Sequence, residues 1–137
     1  MLRRLILAPA LVAAVMAAGC GDDPVTEPET ETPVALTETF SGTVTVNGAF
    51  THPFTVTRAG SVSVQVTALS PDDTVTLGLA LGTWSGIACQ VVIANDIAKL
   101  SSTVLGTATA PGSLCVRIYD VGGFTTAINY DVKVDHF

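Results

Sequence analysis

From residue 36 onward the chain alternates apolar and polar positions. Val62, Val64 and Val66 are separated by Ser63 and Gln65; Val75, Leu77, Leu79 and Leu81 by Thr76, Gly78 and Ala80; and Ile128, Tyr130, Val132 and Val134 by Asn129, Asp131 and Lys133. A period of two sends successive side chains to opposite faces, so each stretch predicts a strand with one buried and one wet face. Turn-forming residues punctuate the pattern at Asn47-Gly48, Ala59-Gly60, Ser70-Pro71-Asp72-Asp73, Thr83-Trp84-Ser85-Gly86, Ala110-Pro111-Gly112 and Gly122-Gly123. Breaks at these intervals predict about eight strands and an all-β fold, an antiparallel β-sandwich. No stretch sustains a helical period with caps, and residues 95–100 read at most as one short helical turn. The continuous run Val91-Val92-Ile93 reads either as a strand buried on both faces or as a loop plug.

The first 35 residues follow another pattern. Arg3 and Arg4 precede twelve mostly apolar residues, from Leu5 to Met16, and then the small residues Ala17-Ala18-Gly19. This is the layout of an export leader, residues 1–19, and it is too short to span a bilayer core, which needs roughly 20 helical residues. Plain export fits the residues around Arg3-Arg4 better than a twin-arginine signal. Residues 20–35 change composition abruptly: Asp22, Asp23, Glu27, Glu29 and Glu31 stand without a counter-charge, and Pro24, Pro28 and Pro33 interrupt any helix. Proline and like-charge repulsion predict an extended tether, spanning roughly 45 Å at about 3.1 Å per residue. One domain follows, residues 36–137.

The segment Ala17-Ala18-Gly19-Cys20 is similar to the lipobox of bacterial lipoproteins, with Ala17 where that family usually carries leucine. The resemblance implies that Cys20 receives diacylglycerol and becomes a membrane anchor. Aspartate directly after the cysteine retains family members in the inner membrane; Gly21 stands there, so the expected address is the bacterial cell envelope, the outer membrane where one exists and otherwise the outer face of the cell membrane.

Composition narrows the class of partner. Apolar residues make up 48% of the 137 and charged residues 13%, which excludes global disorder. Without the leader, four basic and twelve acidic side chains remain, a formal charge of -8, and the basic residues are scattered singly. That balance excludes nucleic acid as a partner. With Cys20 assigned to lipid, Cys89 and Cys115 remain, and outside the cytoplasm they are expected to form a disulfide. A two-cysteine metal or redox site is the alternative, but there is no C-x-x-C spacing.

Candidate chemistry is sparse. His52 and His136 are the histidines, and neither lies in a motif that pairs it with a nucleophile; no G-x-S-x-G is present. His52 reads best as an exposed or hydrogen-bonded strand residue. Asp72, Asp73, Asp96 and Asp120 are expected in loops, where hard cations find oxygen ligands, yet no EF-hand spacing occurs and no metal or cofactor is assigned. Trp84, Tyr119 and Phe124 are the candidate contact residues for a ligand, since exposed aromatics stack on sugars and anchor interfaces; for Trp84, core packing is the competing reading.

Phe40-Ser41-Gly42, Phe54-Thr55-Val56, residues 59–64, residues 75–79, residues 111–119 and residues 130–134 together resemble the bacterial pre-peptidase C-terminal domain, over about residues 37–137. The resemblance implies a jelly-roll-like sandwich and a non-catalytic role in binding. This chain departs from that pattern at the residue leading into the Leu-rich strand and at Cys115. The expected function is therefore a membrane-anchored module recognising a glycan or an envelope protein. A structural lipoprotein without a small ligand, and a small hydrolase using His52 or His136, are the alternatives.

Overall fold

The computed structural model describes residues 32–137; the leader, Cys20 and most of the tether lie outside the described residues. Eight strands follow one another: β1 (Leu36–Val44), β2 (Ala49–Val56), β3 (Gly60–Ser70), β4 (Leu77–Trp84), β5 (Cys89–Ala98), β6 (Thr103–Ala108), β7 (Gly112–Tyr119) and β8 (Ile128–His136). They form two antiparallel four-stranded sheets, ordered β1-β8-β3-β6 and β2-β7-β4-β5. The predicted all-β sandwich is therefore the observed architecture. Edge strands β1 and β2 meet along one side, and β5 and β6 along the other.

The alternation explains most of the core. Val62, Val64 and Val66 of β3, and Ile128, Tyr130, Val132 and Val134 of β8, are buried between the sheets beside Val44, Val56, Leu77, Leu79, Val116 and Ile118. Each fully buried aliphatic side chain of this size contributes about 1.5–3 kcal/mol, which drives the two wet-outside, dry-inside sheets together.

Three expectations are corrected. β4 is not half-wet: Gly78, Ala80 and Gly82 are buried as well as Leu77, Leu79 and Leu81. β4 lies inside its sheet, and the Tyr119 ring from β7 lies across Gly78 so closely that a Cβ there would collide with it. Residues 91–93 are neither a doubly buried strand nor a plug but part of edge strand β5, with all three side chains exposed. No helical turn occurs at residues 95–100. β5 runs to Ala98, and the chain reverses where the Ser102 amide donates to the Lys99 carbonyl (2.9 Å), with Ser101 in the left-handed region at φ 69°.

Candidate functional site

The β1/β2 side is closed by a column of rings. Inward positions of β1 and β2 alternate along the strands and place Phe40, Phe50, His52 and Phe54 on this side. His52 stacks on Phe40 (5.0 Å between centroids) and touches Phe50 (4.8 Å); Phe40 meets Phe54 (6.3 Å), and Phe54 meets His136 (5.1 Å). His52 Nε2 lies 2.7 Å from the Tyr130 hydroxyl, and His136 Nε2 lies 2.7 Å from Glu38 Oε1. Burial lowers the pKa of His52 from its ordinary value, which favours the neutral ring. Burial also raises Tyr130 to about 12. His136 is 1% exposed. The two histidines are thus held apart by Phe40 and Phe54, each satisfied by its own partner, an arrangement that packs and locks strands.

The candidate acidic residues also make separate local bonds. Asp120 accepts from the amides of Gly122 (2.8 Å), Gly123 (2.9 Å) and Phe124 (3.1 Å) through one oxygen and from Asn47 N–H (2.8 Å) through the other. Desolvation opposes ionisation of Asp120, but the amides of Asn47, Gly122, Phe124 and Gly123 outweigh it, and the pKa falls. Asp72 accepts from the Thr74 hydroxyl and amide. Asp96 accepts from the Tyr119 hydroxyl. Desolvation, and then this bond, push Tyr119 up to about 12. Among the described residues no three His, Cys, Asp or Glu side chains gather into a metal-ligand set.

The candidate contact aromatics do not converge. Trp84 ends β4 opposite Cys89, whereas Tyr119 pairs with Gly78 at the other end of β4. Both are half-buried. Phe124 is 6% exposed and belongs to the core cluster, so it is corrected from a surface contact to a packing residue: the Asp120 cap turns the loop inward and seats its ring.

The β5/β6 side presents another surface. Cys89 and Cys115 are bridged, with Cα atoms 5.8 Å apart, which fastens β5 to β7 beside Gly82 of the intervening β4. Beyond Cys89 the β4–β5 register slips twice. Gly82 pairs with Val91 while Leu81 pairs with Ile93, leaving Val92 as the extra residue; Leu79 pairs with Asn95 while Leu77 pairs with Ala98, so Ile97 lies in a second irregularity. A bulge re-aims the side chain it carries and blunts an edge against strand pairing. Val92 is accordingly 71% exposed and Ile97 77%, and Ile87 in the hairpin preceding β5 is 90% exposed. Beneath Val92 an apolar slot of about 80 Å3 opens between the sheets, lined by Val62, Leu81, Ile93, Gly106 and Leu114 among others. Sequence reasoning missed this ridge, although the break in alternation at Val91-Val92-Ile93 is the trace of the first bulge.

No protein-family model matches the chain, and no curated protein is similar to it. Among solved structures it is similar to the Aeromonas hydrophila protein PliG, a periplasmic lysozyme inhibitor of g-type lysozyme, with a TM-score of 0.51 and 14% identity over 73% of this chain and 85% of that one. The likeness is one of fold.

Proposed function

We propose that this chain is a non-catalytic binding protein of the bacterial cell envelope, anchored through lipid on Cys20, spaced from the membrane by residues 20–35, and engaging a protein partner along β5. The outer membrane is its address where the cell has one. The resemblance to the pre-peptidase C-terminal domain belongs to the same reading, as that of an accessory binding module. The observation that carries it is the ridge of Ile87, Val92 and Ile97. Three bulky aliphatic side chains held in water along one edge strand, with Val92 in the middle standing over an apolar slot, are a surface built to be covered. Because the bulges hinder backbone pairing, recognition runs through side chains and not through an added strand. The domain from residue 36 carries seven acidic and four basic side chains, a formal charge of -3, which favours a basic over an acidic partner. The similar fold belongs to an inhibitor of g-type lysozyme, which makes that enzyme the first partner to test.

The test measures binding of g-type lysozyme to the full chain and its effect on cell-wall lysis, with the variant Ile87→Ser/Val92→Ser/Ile97→Ser alongside. Each side chain contributes enough apolar burial that the triple variant is expected to bind about a thousandfold more weakly. Should that lysozyme not bind, crosslinking in the intact envelope takes its place. A partner contacting residues 87–97 supports the reading, and a variant that binds like the parent sinks it.

A further inference from the structure

The outer face of the β1-β8-β3-β6 sheet carries a second, chemically different surface. β3 takes one extra residue at Thr67, where pairing with β8 slips between Val66 and Ala68. Before the slip Val62, Val64 and Val66 point inward; after it Leu69 is the buried residue, and Ala68 and Ser70 turn to the outer face. A bulge also increases local bend and twist. The result is a hollow of about 360 Å3 across three strands, lined by Ser41 and Thr43 of β1, Asn129 and Asp131 of β8, and Ala68 and Ser70 of β3.

These six side chains form two rows in register. Ser41 lies opposite Asp131, which lies opposite Ala68; Thr43 lies opposite Asn129, which lies opposite Ser70. Ser41 Oγ donates to Asp131 Oδ1 (2.5 Å) and Thr43 Oγ1 donates to Asn129 Oδ1 (2.6 Å). Those bonds fix both β8 side chains before any ligand arrives, which lowers the ordering cost of binding. Among the described residues Asp131 Oδ2, the Asn129 amide hydrogens and the Ser70 hydroxyl are left without partners.

We infer that this hollow is a binding site for a neutral saccharide. A carboxylate oxygen accepts from one sugar hydroxyl, the neighbouring carboxamide donates to the next oxygen, and Ser70 does either, a set that matches a pair of adjacent hydroxyls. The Ala68 methyl offers a small apolar floor for a C–H face. The charge of the lining selects the ligand. It holds one carboxylate and no cation, and Lys133, further along β8, is paired with Asp135 (3.1 Å). Phosphate, sulfate and uronate groups are therefore repelled. Tyr130 of β8 also borders the hollow, but its ring is buried in the core and offers no face for stacking. The site therefore relies on hydrogen bonds and binds weakly, and a polymer of repeating units gains most from it.

The test is amide chemical-shift mapping of the isotope-labelled full chain in phosphocholine micelles, titrated with cellotetraose, with the N-acetylglucosamine tetramer and with anionic oligogalacturonate. At least one neutral tetramer is expected to move the Ser41, Ala68 and Asn129 amides with a Kd of about 1 mM, and the anionic one to move none. Ala68→Phe fills the hollow and is expected to abolish the shifts; Asp131→Asn keeps the shape, removes the charge and weakens binding about tenfold. Should either variant fail to fold, Ser70→Val, an exposed strand position suited to a β-branched residue, replaces it and is expected to weaken binding. Shifts centred on other residues, no shift with either neutral tetramer, or folded variants that bind like the parent would each overturn the assignment.

Discussion

Replacing Cys89 and Cys115 by alanine tests whether the β5 edge is held by its covalent tie. The bridge spans a sequence separation of 26, for which the chain-entropy relation gives about 3.5 kcal/mol at 25 °C. A domain of roughly 100 residues has an unfolding entropy of about 0.2 kcal/mol per kelvin near its midpoint, so the melt is expected to fall by about 15 °C. The loss is not evenly spread. β5 has a hydrogen-bonded neighbour in β4 alone, its ladder slips twice, and the disulfide is its covalent link to β7. Without it β5 is the strand expected to open first, ahead of β8, which is paired on both sides. Circular dichroism gives the midpoint, and hydrogen exchange compares Ala94 with Val132. A drop below about 4 °C, or equal acceleration at both amides, would show that the chain-entropy term and the local weakness of β5 have been misjudged.

Both tyrosines have raised pKa values, so their absorbance titration is expected near pH 12 in place of 10. A raised folded value stabilises below the unfolded one; that contribution is present below pH 10 and lost between pH 10 and 12, and a native titration at pH 10 would contradict it. His52 works the other way: its folded pKa is depressed, so its contribution is present above pH 6.5 and is lost as pH falls through the lowered value. An imidazole titration by NMR is expected to show a midpoint below 6.5, and one at or above it refutes the burial argument. Asp120→Ala is expected to lower the melt at neutral pH and to speed exchange of the Gly122 and Gly123 amides; the parent loses the same contribution as pH falls below the usual carboxylate value of 3.8. Gly78→Val drives two methyl groups into the Tyr119 ring and is expected to destabilise by about 1–3 kcal/mol in a denaturant titration, whereas an unchanged midpoint would mean that the ring moves aside without cost.

Most of the sandwich was legible because its core strands obey period two: β3 as far as Val66, and β8 throughout, show in sequence the face they bury. The Cys89–Cys115 bridge was equally legible, from counting. What stayed hidden depends on neighbours. Gly78 and Ala80 read as wet positions because nothing local says that Tyr119 will cover β4, and Phe124 read as a loop contact because its burial depends on the Asp120 cap. The bulges at Thr67, Val92 and Ile97 shift the phase of the pattern by one residue, as in the step from Val66 to Leu69, and a reading that assumes constant phase assigns every later side chain to the wrong face. Both surfaces proposed for binding lie at such phase shifts.

Leu36 and His136 are register partners at the ends of neighbouring antiparallel strands, so chain entry and chain exit sit side by side at one pole of the sandwich. A domain with adjacent ends behaves as a cassette: it can be grafted into a loop of another protein or circularly permuted with little distortion. A reporter fused after Phe137 would share that pole with the start of β1 at Leu36. The turn at Asn47-Gly48 and the loop capped by Asp120 lie at the opposite pole, clear of both ends.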